Sequence, residues 1–236
     1  MRPLLPRLAA LAALALVLAP RPAVAQLPTV QEVYDKYATA VGGRDAWRSV
    51  KGRTERGTAD ITFAGLSGSY TRHFALPNRL RLIIDLTVVT IDNGFDGEQG
   101  WESQGGDVTR MSSEQEADLR EEHADGAHFL DPARYASAEV VARDTFEGAD
   151  TGKVELTSRT GRKSTEYFDV NTGLRVGAVT TTAGGTQRVV FRDYKAFEGR
   201  SLPTRITQNS GQGDVVLFID RVSFEVPDAS LFKAPR

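Results

Sequence analysis

Arg79-Leu80-Arg81-Leu82-Ile83-Ile84-Asp85-Leu86 sets the period on which the chain is built. Its even positions are all apolar, while Arg79, Arg81 and Asp85 take the odd ones with Ile83 between them, the spacing of an extended strand with one buried face. Leu76-Pro77-Asn78 before it and Asp96-Gly97 after it are turn signals. The same alternation returns at Ala59, Ile61 and Phe63, at Tyr70, Phe74 and Leu76, and at Val154 and Leu156. Asn171-Thr172-Gly173, Gly184-Gly185 and Gly211-Gln212-Gly213 punctuate the later strands at short spacing. Hairpin therefore follows hairpin, and the sheet is antiparallel. About eleven strands are expected, a width at which a twisted sheet has to curl or close. Val215 to Ile219 is apolar on both faces, as a strand covered on both sides near the centre of the sheet would be.

Helical spacing occurs at the start, where Val30, Val33, Tyr34, Tyr37, Ala38 and Val41 share one face and Thr29 and Glu32 are spaced as a capping box. Gly42-Gly43 ends that helix, and a short helical turn through Asp45-Ala46-Trp47 follows. A second helix is expected from Ser112 to Asp125, rich in Glu and poor in β-branched residues, with a further turn through Phe129. Inserted between two runs of hairpins, it would cover the concave side of a curved sheet as a lid. An acidic helix lying free in solvent fits the composition as well.

The first twenty-five residues read as a secretory signal peptide: Arg2 and Arg7, an apolar run from Leu8 to Ala19, then Ala23-Val24-Ala25 as the cleavage pattern. The run is shorter than the ~20 residues that span a bilayer. Cleavage after Ala25 leaves residues 26–236 as one domain, and the loss of Arg2, Arg7 and Arg21 takes the formal charge from −2 to −5. Nucleic acid is then an unfavourable partner, and no second apolar run in the mature chain reaches membrane length. The chain has no Cys, so neither a disulfide nor a thiolate metal site can form.

The residues give catalysis little to stand on. His73, His123 and His128 are the three histidines, and none is spaced with another as metal ligands on one helix face; a solvated acidic helix accounts for Glu121, Glu122 and Asp125 beside them. Gly65-Leu66-Ser67-Gly68-Ser69 is not a G-x-S-x-G elbow, and Ser230-Leu231-Phe232-Lys233 lacks the companion motifs of a serine acyl-enzyme. No phosphate-binding glycine motif occurs. Neither a metal nor a cofactor is expected.

The order of the helix, Gly42-Gly43-Arg44-Asp45-Ala46-Trp47, the first strands and Asn93-Gly94-Phe95-Asp96-Gly97 leading to Gly100-Trp101 resembles the LolA-like family of periplasmic outer-membrane lipoprotein-sorting and carrier proteins. Tyr167-Phe168-Asp169-Val170-Asn171-Thr172-Gly173-Leu174, then Asp193-Tyr194 with Gly199, Leu202-Pro203 and Ile206, and Pro227-Asp228-Ala229-Ser230-Leu231-Phe232 extend the resemblance over nearly all of the mature chain. It implies a half-open antiparallel barrel, helices over its hollow side, and a hollow that receives acyl chains. The absence of a Cys for lipid attachment makes the chain similar to the soluble carrier.

A cup lined by Ile61, Phe63, Phe74, Leu82, Ile84 and Trp101 is the expected ligand site, since burying each acyl CH₂ gains ~0.8 kcal/mol and a long chain needs no covalent hold. Each of these side chains would serve equally in a dry core; the set together favours a cavity. The expected function is that of an exported, non-catalytic carrier of a lipid or lipidated protein, with an envelope transfer partner. A lipid or lipoprotein sensor acting through a protein partner is the alternative, and an envelope hydrolase a third.

Overall fold

The computed structural model describes residues 26–122, 127–182, 185–209 and 211–235. The expected signal peptide and its cleavage point, His123, Asp125 and Gly184 lie outside the described residues. Helices α1 (Val30–Ala40) and α2 (Arg44–Arg48) come first, then strands β1 (Gly52–Ile61), β2 (Leu66–Ala75), β3 (Arg79–Asp85), β4 (Thr90–Phe95), β5 (Gly100–Gln104) and β6 (Asp107–Arg110). Helix α3 (Ser113–Glu122) and single 3₁₀ turns at His128–Leu130 and Pro132–Arg134 lead to the second run of strands. These are β7 (Ser137–Phe146), β8 (Ala149–Thr157), β9 (Lys163–Asp169), β10 (Arg175–Thr182), β11 (Gly185–Phe197), β12 (Arg200–Asn209) and β13 (Asp214–Ser223), with a last 3₁₀ turn at Ala229–Phe232.

All thirteen strands form one antiparallel sheet in the order β6-β5-β4-β3-β2-β1-β13-β12-β11-β10-β9-β8-β7. β13 returns to pair with β1 and occupies the middle of the sheet, in keeping with a run that is apolar on both faces. The free edges are β6 and β7, neighbours in sequence but opposite ends of the sheet, so the segment that carries α3 has to cross from one edge to the other. Thirteen strands exceed the eleven expected. β6 could not be read from the sequence because all four of its residues are exposed and carry no apolar alternation.

Register assigns each side chain to a face. Ile61, Val215 and Gln208 stand abreast on β1, β13 and β12, and Val189, Ala178, Glu166, Val154 and Val140 continue the row across β11 to β7. The helices pack on this inner face. Bulges at Arg56/Gly57, Val140/Ala142 and Arg175/Gly177 add local twist to an already wide sheet. At the first of them a Cβ on Gly57 would lie 1.7 Å from the Phe218 carbonyl oxygen, so only glycine admits that approach.

The inner face carries two apolar clusters. One joins Tyr34, Tyr37, Ala38 and Val41 of α1, and Trp47 of α2, to Val140, Val154, Leu156, Phe168 and Leu202. Its rings meet edge-on or tilted, Tyr34 and Tyr37 at 5.3 and 5.4 Å from Phe168 and Trp47 at 5.0 Å from Phe129, geometries that add to area burial. The expected capping box is formed: the Thr29 hydroxyl accepts from the Glu32 N–H, and the Glu32 carboxylate accepts from the Thr29 N–H at 2.7 Å. The second cluster, Ala59, Ile61, Tyr70, Ile84, Leu86, Leu217 and Ile219, lies at the other end of the strands with no helix among its members.

Candidate functional site

The second cluster is the apolar floor of the candidate site. Partly buried Leu66, Leu82, Val89, Ile91, Ile206 and Val215 surround its buried members. At Ile91 the floor meets a cleft of about 690 Å³ walled by Asn93, Glu102, Ser103, Gln104, Asp107 and Thr109. Across β4, β5 and β6, Asn93, Glu102 and Thr109 pair in register on the same face as Leu82, so the inner face turns from apolar to polar towards the β6 edge.

α3 is not a free acidic helix. Gln115 Nε2 donates to Glu102 Oε1 at 3.0 Å, Glu116 accepts from the Gly100 N–H at 3.0 Å, and Arg120 donates to the Glu98 carbonyl, all on the β4–β5 side. On the other side Glu121 accepts from the backbone N–H groups of Arg159 and Thr160, and Asp118 accepts from the Thr160 hydroxyl at 2.7 Å. The helix thus ties the β4–β5 turn to the β8–β9 turn, one from each arm of the sheet, as a lid over the inner face does. Its acidic side chains are its fastenings. The Gly100 N–H, with Arg110 and Arg120, holds the Glu116 carboxyl below the usual carboxylate range.

Of the six residues expected to line the cup, Ile61, Leu82 and Ile84 come together in the second cluster. Phe74 shares their face but sits at the helix end of β2, opposite Arg53 and Leu80. Phe63 stands in the β1–β2 turn, 55% exposed. Trp101 pairs with Gly94, which pairs with Arg81, and this places it on the outer face. A Cβ on Gly94 would meet the Trp101 ring at 2.1 Å, so the indole lies flat over that glycine. Sequence reasoning missed Ile91, Ile206 and Val215 as wall residues; Val215 was legible as part of an apolar run, whereas Ile91 and Ile206 stand among polar neighbours and have no periodic signal of their own.

Two ionic clusters are buried on the inner face near α1. Glu166 accepts from Arg175 Nη1 at 2.5 Å and from the Tyr34 hydroxyl at 2.9 Å. Burial, with the Glu166 charge beside it, pushes the Tyr34 phenol up. Glu55 accepts from the Tyr70 hydroxyl at 3.0 Å and pairs with Arg53 at 2.9 Å. Burial alone would raise its pKa, but Arg53, Arg72 and Tyr70 outweigh it and hold the carboxyl low. Each carboxylate has both oxygens engaged by a donor, which offsets the cost of its burial.

On the outer face Arg81 grips Asp92 through Nε and Nη2, at 2.9 and 2.6 Å, and donates through Nη1 to the Leu231 carbonyl. Arg81 faces outward, as the alternation requires, yet its side chain is only 17% exposed because the C-terminal segment crosses over it. A smaller pocket of about 260 Å³ lies between the start of α1 and β7–β9, with Val33, Val140 and Phe168 in its wall. Among the described residues, no three His, Cys, Asp or Glu side chains are grouped to hold a metal ion.

A LolA superfamily protein from Nitrosomonas europaea superposes with a TM-score of 0.56 at 14% identity, over 88% of this chain and 99% of its own. A DUF1329 family protein from Desulfovibrio piger gives 0.58 at 14%, over 86% and 97%. A domain of the outer membrane lipoprotein-sorting kind from Vibrio parahaemolyticus gives 0.53 at 12%, over 82% and 91%. The fold is LolA-like. No protein-family profile and no curated protein matches the sequence. The likeness of fold therefore holds at 12–14% identity.

Proposed function

We propose that the chain is an exported, non-catalytic carrier that holds a lipid, or the acyl chains of a lipoprotein, against the inner face of its sheet. The observation that carries the reading is the half-buried apolar wall of Leu82, Ile91, Ile206 and Val215 beside Ile61 and Ile84, abutting an open cleft whose wall residue Glu102 is held by α3. Unlike the part-buried margin of the first cluster, this one has no helix packed among its members and opens on the cleft. An acyl chain laid on them would gain ~0.8 kcal/mol per buried CH₂, on the order of 10 kcal/mol for a long chain before the cost of ordering it. The lipoprotein-sorting name of one structural neighbour points the same way, as does the signal-peptide pattern before Gln26, which directs the chain to the cell envelope. Among the described residues no helix is long and apolar enough to cross a membrane.

Native mass spectrometry of protein purified from the envelope tests the reading directly and is expected to show acyl cargo bound. Titration with a long-chain fatty acid gives the residue-level test. Ile91→Glu sets a carboxylate at the half-exposed edge of the floor, where the chain should still fold, and is expected to weaken binding at least ~tenfold through the cost of burying charge under the ligand. Val108→Glu, on the exposed outer side of β6, should leave it unchanged. Equal, unaltered binding by both variants would remove the inner face as the site.

A further inference from the structure

The end of the sheet beneath which the second cluster lies has an unusual surface. In an antiparallel meander every second turn falls at the same end, so the β1–β2, β3–β4 and β5–β6 turns are neighbours there, joined by the β12–β13 turn through the pairing of Ile61 with Val215. Two of these tips hold large apolar side chains out in solvent: Phe63 at 55% exposure and Val88 at 75%. Turns tolerate Ser, Thr or Gly at such places at no cost, and single exposed apolar residues need no explanation. Two on adjacent tips are a different matter, because directly below them lie Leu66, Val89 and Val215, the partly buried rim of the apolar floor. The β12–β13 turn lies against the first of them: a Cβ on Gly213 would fall 2.7 Å from Phe63 Cβ.

Charge narrows the partner. No Lys or Arg occurs in residues 57–71, 82–109 or 206–220, which contain all of these hairpin ends, whereas Asp60, Asp85, Asp107 and Asp214 do. Proteins that seek anionic membranes place Lys and Arg around their apolar anchors, each contributing through the surface potential. These four hairpin ends are acidic, and an anionic surface would repel them. We propose that this end of the sheet docks on a lipid bilayer of zwitterionic headgroups, with Phe63 and Val88 entering the headgroup layer. The contact places the open floor against the membrane, so that an acyl chain passes between bilayer and hollow without exposing its length to water, a step that rests on the function proposed above. The docking itself does not.

The test is flotation of the purified chain, residues 26–236, with phosphatidylcholine vesicles, beside a fatty-acid titration in solution. The wild type is expected to float with the vesicles, to float less when a third of the lipid is phosphatidylglycerol, and to recover with added salt as the repulsion is screened. Phe63→Ser combined with Val88→Ser should lower vesicle partition at least ~tenfold. Both side chains are exposed, so the melting temperature and fatty-acid binding in solution should not move. Phe63→Trp should show a blue-shifted emission on adding vesicles. Absence of wild-type binding to phosphatidylcholine, capture of a protein partner but no vesicles, binding that rises with phosphatidylglycerol and falls with salt, or an unaffected double variant each overturns the proposal. Vesicle binding without any fatty-acid binding would uphold the docking and remove the carrier function.

Discussion

His73 is buried on the outer face, 6% exposed, with its Nδ1 3.0 Å from the Thr54 hydroxyl. Burial, together with Arg56 and Arg81, lowers its pKa below the ordinary histidine value of 6.5. The folded state therefore binds the proton less readily than the unfolded chain. Its contribution is fully present above pH 6.5 and is lost progressively as the pH falls from there through the lower folded value. Chemical denaturation across that window is expected to show stability falling with acid, and His73→Gln, which can still meet Thr54, should flatten the slope. A variant with the wild-type slope would place the acid sensitivity elsewhere. The alternation of β3 sent His73's neighbour Arg81 outward correctly, but no local pattern announces a C-terminal segment lying across it; Leu231 contacts Arg81 from 150 positions away. Trp101 escaped for a related reason. An aromatic at the start of a short strand carries no sign of which face it takes, and the deciding partner, Gly94, is defined only by register.

At the scale of elements, α3 owes its place to fastenings more than to apolar packing, since Glu116 is its one buried side chain among those described. Glu121 satisfies two backbone donors of the β8–β9 turn. Removing it leaves both exposed N–H groups to water, at a cost on the order of 1 kcal/mol that falls on the helix and turn and not on the sheet. Hydrogen exchange of Glu121→Ala is thus expected to quicken in residues 113–122 and 158–162 while β1, β2 and β13 keep their protection; uniform quickening, or none, would contradict the bridge. α1, its capping box and the turns were legible because each rests on contacts within a few residues. α3 was legible as a helix and, from its place between two runs of hairpins, as a cover for the sheet; how it is fastened was not, because a run of Glu and Asp looks alike whether it faces water or backbone donors supplied forty residues later.

For the whole molecule the governing fact is that β6 and β7 are adjacent in sequence and farthest apart in the sheet. A meander whose last strand returns to its first must leave its mid-chain connection to span the open side, and α3 is that connection. The antiparallel, curled sheet followed from period-two spacing and closely set turns; which apolar residues form the floor did not, since Ile61 and Phe63 share an alternation and only the end of β1 at Ile61 separates wall from tip. If cargo reaches the floor by parting the arms, α3 has to release one of them. The natural chain has no Cys, so Asp118→Cys with Thr160→Cys, at two side chains that touch at 2.7 Å, puts one thiol on the helix and one on the turn, close enough for a short thiol-reactive reagent to bridge them through reducible disulfides. With the bridge in place the fatty-acid association rate is expected to drop at least ~tenfold, and reductant should restore it, since the crosslink holds the closed population that a ligand must leave. A crosslinked chain that takes up fatty acid as fast as the uncrosslinked chain, or faster, would show that cargo enters without moving α3, over the tips of the β1–β2 and β3–β4 hairpins with the lid still fastened.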